Sequence, residues 1–179
     1  MDINIFITDE KIASIYRQYK DTMPFQVVEF AIAIGIDVYT DDMPSNISGK
    51  IEKKDEKFIC YVNNKNAVHR QVFTIAHELG HYFRHQEWFA ENNTIEEKEE
   101  KALYNTFHKD QPQSYSQNQK QMEKEANEFA AELLMPEDIV KEQWQECKSV
   151  NKMAKYFGVS EIAMSIRIAN VIEDIRFMV

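Results

Sequence analysis

Apolar residues recur at helical spacing in residues 10–20 and 25–34, which predicts two short amphipathic helices, the second with Pro24 near its first turn and Gly35 at its end. Such a pair is expected to pack as a lid or buttress. Beyond Gly35 the spacing tightens to alternate positions, and three strands are expected around 36–40, 48–53 and 57–63. In the last of these Phe58, Cys60 and Val62 alternate with Ile59 and Tyr61, and Asp55 suits a hairpin turn before it. Helical spacing returns over residues 68–85. It recurs at about 120–134, 137–146, 150–157 and 161–173, punctuated by Pro136 and Gly158.

Residues 86–120 differ in character. Thr94 and Glu97 have the spacing of a capping box, which predicts a short charged helix running to Phe107. The Gln-, Ser- and Asn-rich residues 111–121 read as a mobile surface loop. The pattern predicts an α+β fold, with a small antiparallel sheet beside a mainly helical body. At 179 residues the chain suits one domain over 1–179: sheet and active-site helix in 24–85, a variable polar connection in 86–120, and further helices in 121–172.

Composition narrows the function classes. The formal net charge of −9 disfavours phosphate backbones and anionic lipid as partners, so neither nucleic acid nor a membrane surface is expected. Residues 1–11 carry acids early, with no basic stretch before an apolar run. The longest apolar run, 30–36, is far too short for a bilayer. The two cysteines, Cys60 and Cys147, lie far apart without a CxxC pair, which indicates neither a disulfide framework nor a thiolate zinc site. A reducing cytoplasm is the expected location.

The chemistry-bearing motif is His77-Glu78-Leu79-Gly80-His81, an HExxH pattern on the helix of residues 68–85. At 3.6 residues per turn the two histidines stand only about 40° apart, so both rings can reach one metal ion. Glu78 lies about 100° round from His77, placed to take a proton from a water at the metal rather than to ligate it. Val72, Ile75, Ala76, Leu79 and Phe83 fall on the opposite side, which predicts a core face behind a polar, metal-facing front. Gly80 weakens the helix by about 1 kcal/mol relative to Ala, and its presence points to close backbone approach by a neighbouring element.

A catalytic zinc site takes three protein ligands and leaves one position open. His85 lies a full turn beyond His81, too far along the axis to share the ion, and reads as a support behind the ligands or a solvated residue. Glu123 is the better donor: on the helix of 120–134 it emerges at the edge of the stripe formed by Met122, Ala126, Phe129 and Leu133. Glu125 is the alternative ligand. Glu125, Glu128 and Glu132 together read as a solvated acidic face. Asn127, one turn after Glu123, is placed to accept the free ring N–H of a ligating histidine.

The HELGH motif followed by EKEANEFAAELLMP over residues 123–136 resembles the ImmA/IrrE family of metallopeptidases. The resemblance extends to FICYVNN, HRQVFTIAHELGHYF and MAKYFGVSEIAMSIRI, and covers roughly residues 24–172. It implies a zincin-like fold, Zn2+ as cofactor, and a glutamate ligand on the next long helix, which on matching positions is Glu123 in an ExxxN arrangement with Asn127. It also implies a place on a prophage or other mobile element and a helix-turn-helix transcriptional repressor as protein substrate. The chain looks like a compact member with neither an N-terminal helix-turn-helix domain nor a C-terminal sensor domain.

The expected chemistry is peptide hydrolysis. His77, His81 and Glu123 hold zinc, and Glu78 takes a proton from water and returns it to the leaving amine. His69, Tyr82, His108 and Tyr115 are candidate donors to the oxyanion, a substrate segment can add as a strand at a sheet edge, and residues 86–120 can gate the cleft. Two other readings compete. One is a zinc-containing protein-binding or toxin-antitoxin regulatory module without peptidase activity. The other is a DNA-binding regulator, because residues 150–157, Gly158 and 160–171 have a helix-turn-helix outline with Ser160 as cap. Its second helix offers only Arg167 as a base, beside Glu161 and Glu173.

Overall fold

The computed structural model describes residues 3–91, 94–98 and 117–176. After a 3-10 turn at Ile3–Ile5 come helices α1 (Glu10–Tyr19) and α2 (Val27–Ala33), then strands β1 (Ile36–Asp41), β2 (Ile47–Lys54) and β3 (Lys57–Asn63). The HExxH helix is α3 (Val68–Arg84), followed by α4 (Gln86–Glu91), β4 (Thr94–Lys98), α5 (Gln117–Leu134), α6 (Glu137–Cys147), α7 (Val150–Phe157) and α8 (Glu161–Arg176). The α+β, zincin-like class read from the sequence holds. Among the described residues no helix is long and apolar enough to cross a membrane.

The sheet has the order β1-β3-β2-β4. β2 and β3 form a hairpin closed by Asp55 and Glu56, both at positive φ (48° and 64°), the backbone twist that a two-residue turn needs. β1, however, runs parallel to β3, so the sheet is mixed and not wholly antiparallel. The reason is connectivity: the chain reaches β3 only after crossing to β2 and turning back.

The charged helix expected from Thr94 is a second correction. Residues 94–98 pair antiparallel with β2, setting Ile95 against Ile51 and Glu96 against Lys50 in register. A capping-box spacing describes a local preference worth about 1 kcal/mol, and a waiting sheet edge outweighs it. The rest of that expected helix, to Phe107, and residues 111–116 of the expected loop lie outside the described residues, whereas 117–121 are not loop but the opening of α5, which starts earlier than the spacing indicated.

α1 and α2 act as a buttress. Tyr16, Tyr19, Phe25 and Phe30 meet in edge-on and tilted ring contacts, with centroids 5.5–6.5 Å apart, and Phe30 and Ala31 are fully buried in the main core. That core continues through Leu79 of α3 and Phe129, Leu133 and Leu134 of α5 to Met153, Phe157 and Met164 of the C-terminal helices.

The crossing of α3 and α5 positions the site, and Gly80 permits it. A Cβ on Gly80 would stand 2.8 Å from the Ala126 Cα and 2.9 Å from its carbonyl oxygen, backbone atoms that cannot swing aside. The close approach expected from this glycine is therefore real. Gly80→Ala is expected to lose about 1–3 kcal/mol of stability through overpacking, although helix propensity alone favours Ala by about 1 kcal/mol. Urea denaturation decides between the two signs, and a stabilised variant would contradict the packing argument.

The C-terminal helices carry the expected helix-turn-helix outline. Gly158 takes the left-handed conformation (φ 68°), and Ser160 Oγ accepts from the Ala163 amide at 3.1 Å. Arg167 is occupied internally: its Nε donates to the Met135 carbonyl at 2.9 Å, and its guanidinium pairs with Glu132 across α5 and α8. Arg167 is thus directed into the protein, away from a phosphate.

Candidate functional site

α3 is buried more completely than its wheel suggests. Residues 73–81 are all buried, and His77, Glu78 and His81 have no exposed surface, so the expected polar front faces protein. α5 covers the histidines, and β2 lies over Glu78. Gly49 makes that second approach possible, because a Cβ there would stand 2.4 Å from Thr74 Cγ2, 2.7 Å from the Tyr61 carbonyl oxygen and 3.7 Å from Glu78 Oε1.

His77 and His81 meet Glu123 of α5. The two Nε2 atoms are 3.0 Å apart, His77 Nε2 is 3.2 Å from Glu123 Oε2, and His81 Nε2 is 3.5 Å from Glu123 Oε1. One ligand atom from each residue lies within 4.8 Å of the others, the arrangement of a metal-binding group. Bonds of ~2.0–2.1 Å at tetrahedral angles put ligand atoms roughly 3.3 Å apart, so these edges suit a small cation such as zinc.

Electrostatics prepare two of these groups, His81 and Glu123. Burial lowers the His81 pKa from 6.5 to about 4, outweighing the opposing pull of the Glu123 carboxylate beside it. Burial pushes the Glu123 carboxyl upward, but the His77 and His81 rings beside it more than offset this and hold it well below the usual range. At neutral pH the site therefore presents a neutral His81 imidazole and an ionised carboxylate, the forms that bind a metal.

The His81 shift fixes the sign of a pH effect. Above about pH 6.5 the ring is neutral folded or unfolded; as pH falls toward about 4 the unfolded chain takes up a proton that the folded chain resists. The metal-free chain is expected to lose on the order of 3 kcal/mol across that window. Urea titrations in chelator at pH 7 and pH 5 test this, and an unchanged midpoint would contradict it.

His77 Nδ1 stands 3.0 Å from Asn127 Oδ1, the contact expected of that residue. With Nδ1–H donating to the amide oxygen, the Nε2 lone pair points to the cluster. Glu125, the alternative ligand, lies away from the triad. Its Oε2 is 3.2 Å from both Arg84 Nη2 and His85 Nε2, and Gln121 donates to its Oε1 at 2.7 Å. Burial raises the Glu125 carboxyl, and these partners bring it below the ordinary value. Glu132 is also buried, against Arg167, so the solvated acidic face does not exist as expected; of the three only Glu128 is exposed.

Of the two roles the sequence leaves open for His85, support behind a ligand or solvation, the structure shows contact with His81, their Nδ1 atoms 3.0 Å apart. The i+4 spacing was its signal. Of the candidate oxyanion donors, His69 is exposed on the first turn of α3, about 12 Å along the axis from His77. Tyr82 packs edge-on against Phe58 and Phe83. His108 and Tyr115 lie outside the described residues. Among the described residues, only Glu123 of the triad reaches solvent, with its side chain 24% exposed.

A comparison with curated proteins finds no match. Among solved structures the chain resembles a Mycobacterium tuberculosis transcriptional regulator, with a TM-score of 0.58 and 17% identity over 90% of this chain and 47% of that one. At that identity the likeness concerns the fold, and this chain spans about half the length of that protein. Residues 31–169 match a peptidase family through its IrrE N-terminal-like domain, a match that takes in α3, α5 and every residue of the cluster. On that match the chain belongs to the IrrE N-terminal-like peptidase family.

Proposed function

We propose that this chain is a zinc-dependent endopeptidase, a single metallopeptidase domain in which His77, His81 and Glu123 hold the ion and Glu78 is the general base. The observation that carries the reading is the convergence of the three ligand atoms at 3.0–3.5 Å, next to a fully buried glutamate on the same helix. Bound there, zinc supplies Lewis-acid polarisation of water and of a peptide carbonyl. Glu78 takes the proton from the attacking water and delivers it to the leaving amine nitrogen. Asn127 holds His77 in the tautomer that presents Nε2.

The substrate is a protein segment entering beside Glu123, and the family resemblance favours a helix-turn-helix transcriptional repressor encoded near this chain on a prophage or mobile element. Working in the cytoplasm, the peptidase would release expression by destroying that repressor. The test is to incubate the zinc-loaded chain with the repressor encoded beside it and follow cleavage by mass spectrometry. Cleavage at a defined bond, abolished by chelator and restored by zinc, is expected. An intact repressor alongside a zinc-loaded chain would count against the substrate assignment.

A further inference from the structure

The two histidines of the triad are supported from behind in different ways. His77 leans on a neutral amide, Asn127, whereas His81 leans on a second histidine that in turn meets a carboxylate. His81 Nδ1 is 3.0 Å from His85 Nδ1, and His85 Nε2 is 3.2 Å from Glu125 Oε2. His85 is 8% exposed and caps α3, its backbone N–H donating to the His81 carbonyl at 2.9 Å. Glu125 is anchored by Arg84 and Gln121, so the far end of this chain of contacts is fixed to both α3 and α5.

Hydrogen positions along the chain follow from donor and acceptor counting. Glu125 is ionised and only accepts, so the His85 proton sits on Nε2. His85 Nδ1 then has a lone pair and must accept, which places the His81 proton on Nδ1. His81 Nε2 is left with its lone pair directed at His77 Nε2 and Glu123. Every link has one donor and one acceptor, and the end of the series is a ring oriented for ligation. In metal sites a carboxylate or carbonyl behind a ligating histidine fixes its tautomer and raises its basicity. Here a second imidazole relays that effect from the carboxylate.

We propose that His85 and Glu125 are positioning residues, a carboxylate–histidine relay that holds His81 in the Nδ1–H tautomer with Nε2 toward the metal. This rests on the reading that His77, His81 and Glu123 bind zinc. A merely structural role for the contact would tie the end of α3 to α5 and change thermal stability while leaving metal affinity alone.

The test measures zinc affinity of the full chain by competition with a chromophoric chelator. His85→Ala is expected to weaken zinc binding about 10–100-fold, and Glu125→Ala by less. Because Glu125 acts only through His85, adding Glu125→Ala to His85→Ala is expected to cost nothing further. His85→Gln, whose amide oxygen can accept from His81, is expected to recover part of the loss. Wild-type affinity in a folded His85→Ala chain would overturn the relay, as would a full additional loss from Glu125→Ala in the His85→Ala background.

Should His85→Ala fail to fold, 15N imidazole spectra of the zinc-loaded wild-type chain give the same decision. Nδ1–H on His81 with Nε2–H on His85 is expected, and the opposite tautomer at either ring overturns the proposal. A wild-type chain that binds no zinc would instead overturn the metal reading, and the relay with it.

Discussion

Glu78→Gln is expected to bind zinc as tightly as the parent chain and to cut its substrate at least about 10²–10⁴-fold more slowly. The substitution keeps the side chain's shape and replaces a proton acceptor with an amide that cannot take the proton. Glu78 belongs to the face of α3 under β2, beside Gly49, while the histidines face α5, so affinity and turnover are expected to separate cleanly. Its burial sharpens this, because solvent cannot easily replace a base with no exposed surface. Parallel zinc titration and cleavage assays check it. Full turnover would remove Glu78 from the mechanism. Loss of zinc would make it a ligand. A wild-type chain that binds zinc and cleaves nothing would favour the protein-binding alternative.

The second large effect concerns the third ligand. Structural zinc sites with four ligands bind with ~10–16 kcal/mol, so each ligand supplies roughly 3–4 kcal/mol, and Glu123→Ala is expected to weaken zinc about 10²–10³-fold. The loss leaves the two histidines of α3 with no ligating carboxylate from α5 beside them. Glu125→Ala is the matched control, two residues away on the same helix, and is expected to cost far less because its carboxylate faces His85 and Arg84. Equal losses from the two variants would contradict the assignment. Chelator competition measures both.

Much of this site was legible because its signals are local. The i, i+4 spacing of His77 and His81 fixes their common face whatever surrounds them, and Glu123 could be singled out from the apolar stripe of its own helix. Gly80 advertised a close neighbour by being costly where it stands, and Ala126 is that neighbour. The turns at Asp55 and Gly158 were readable for the same reason, since their backbone angles are set by two or three residues.

What was not legible depends on partners distant in sequence. Glu125 and Glu132 look like solvated acids on a wheel, and only the folded chain brings Arg84, His85 and Arg167 to them. β4 has too few apolar positions to declare itself, and it is a strand because β2 offers an edge. The parallel setting of β1 follows from where the chain crosses the sheet, which periodicity does not record. Likewise the burial of residues 73–81 of α3 results from α5 and β2 closing on both of its polar flanks, a fact about packing rather than about the helix.

The most direct test of the central claim is zinc K-edge X-ray absorption on the purified, zinc-loaded chain, with metal stoichiometry measured on the same sample. One zinc per chain, with two imidazole nitrogens and carboxylate oxygen at about 2.0–2.2 Å and no sulfur, is the predicted result. Sulfur at about 2.3 Å, or a chain that retains no zinc, would contradict the assignment to His77, His81 and Glu123.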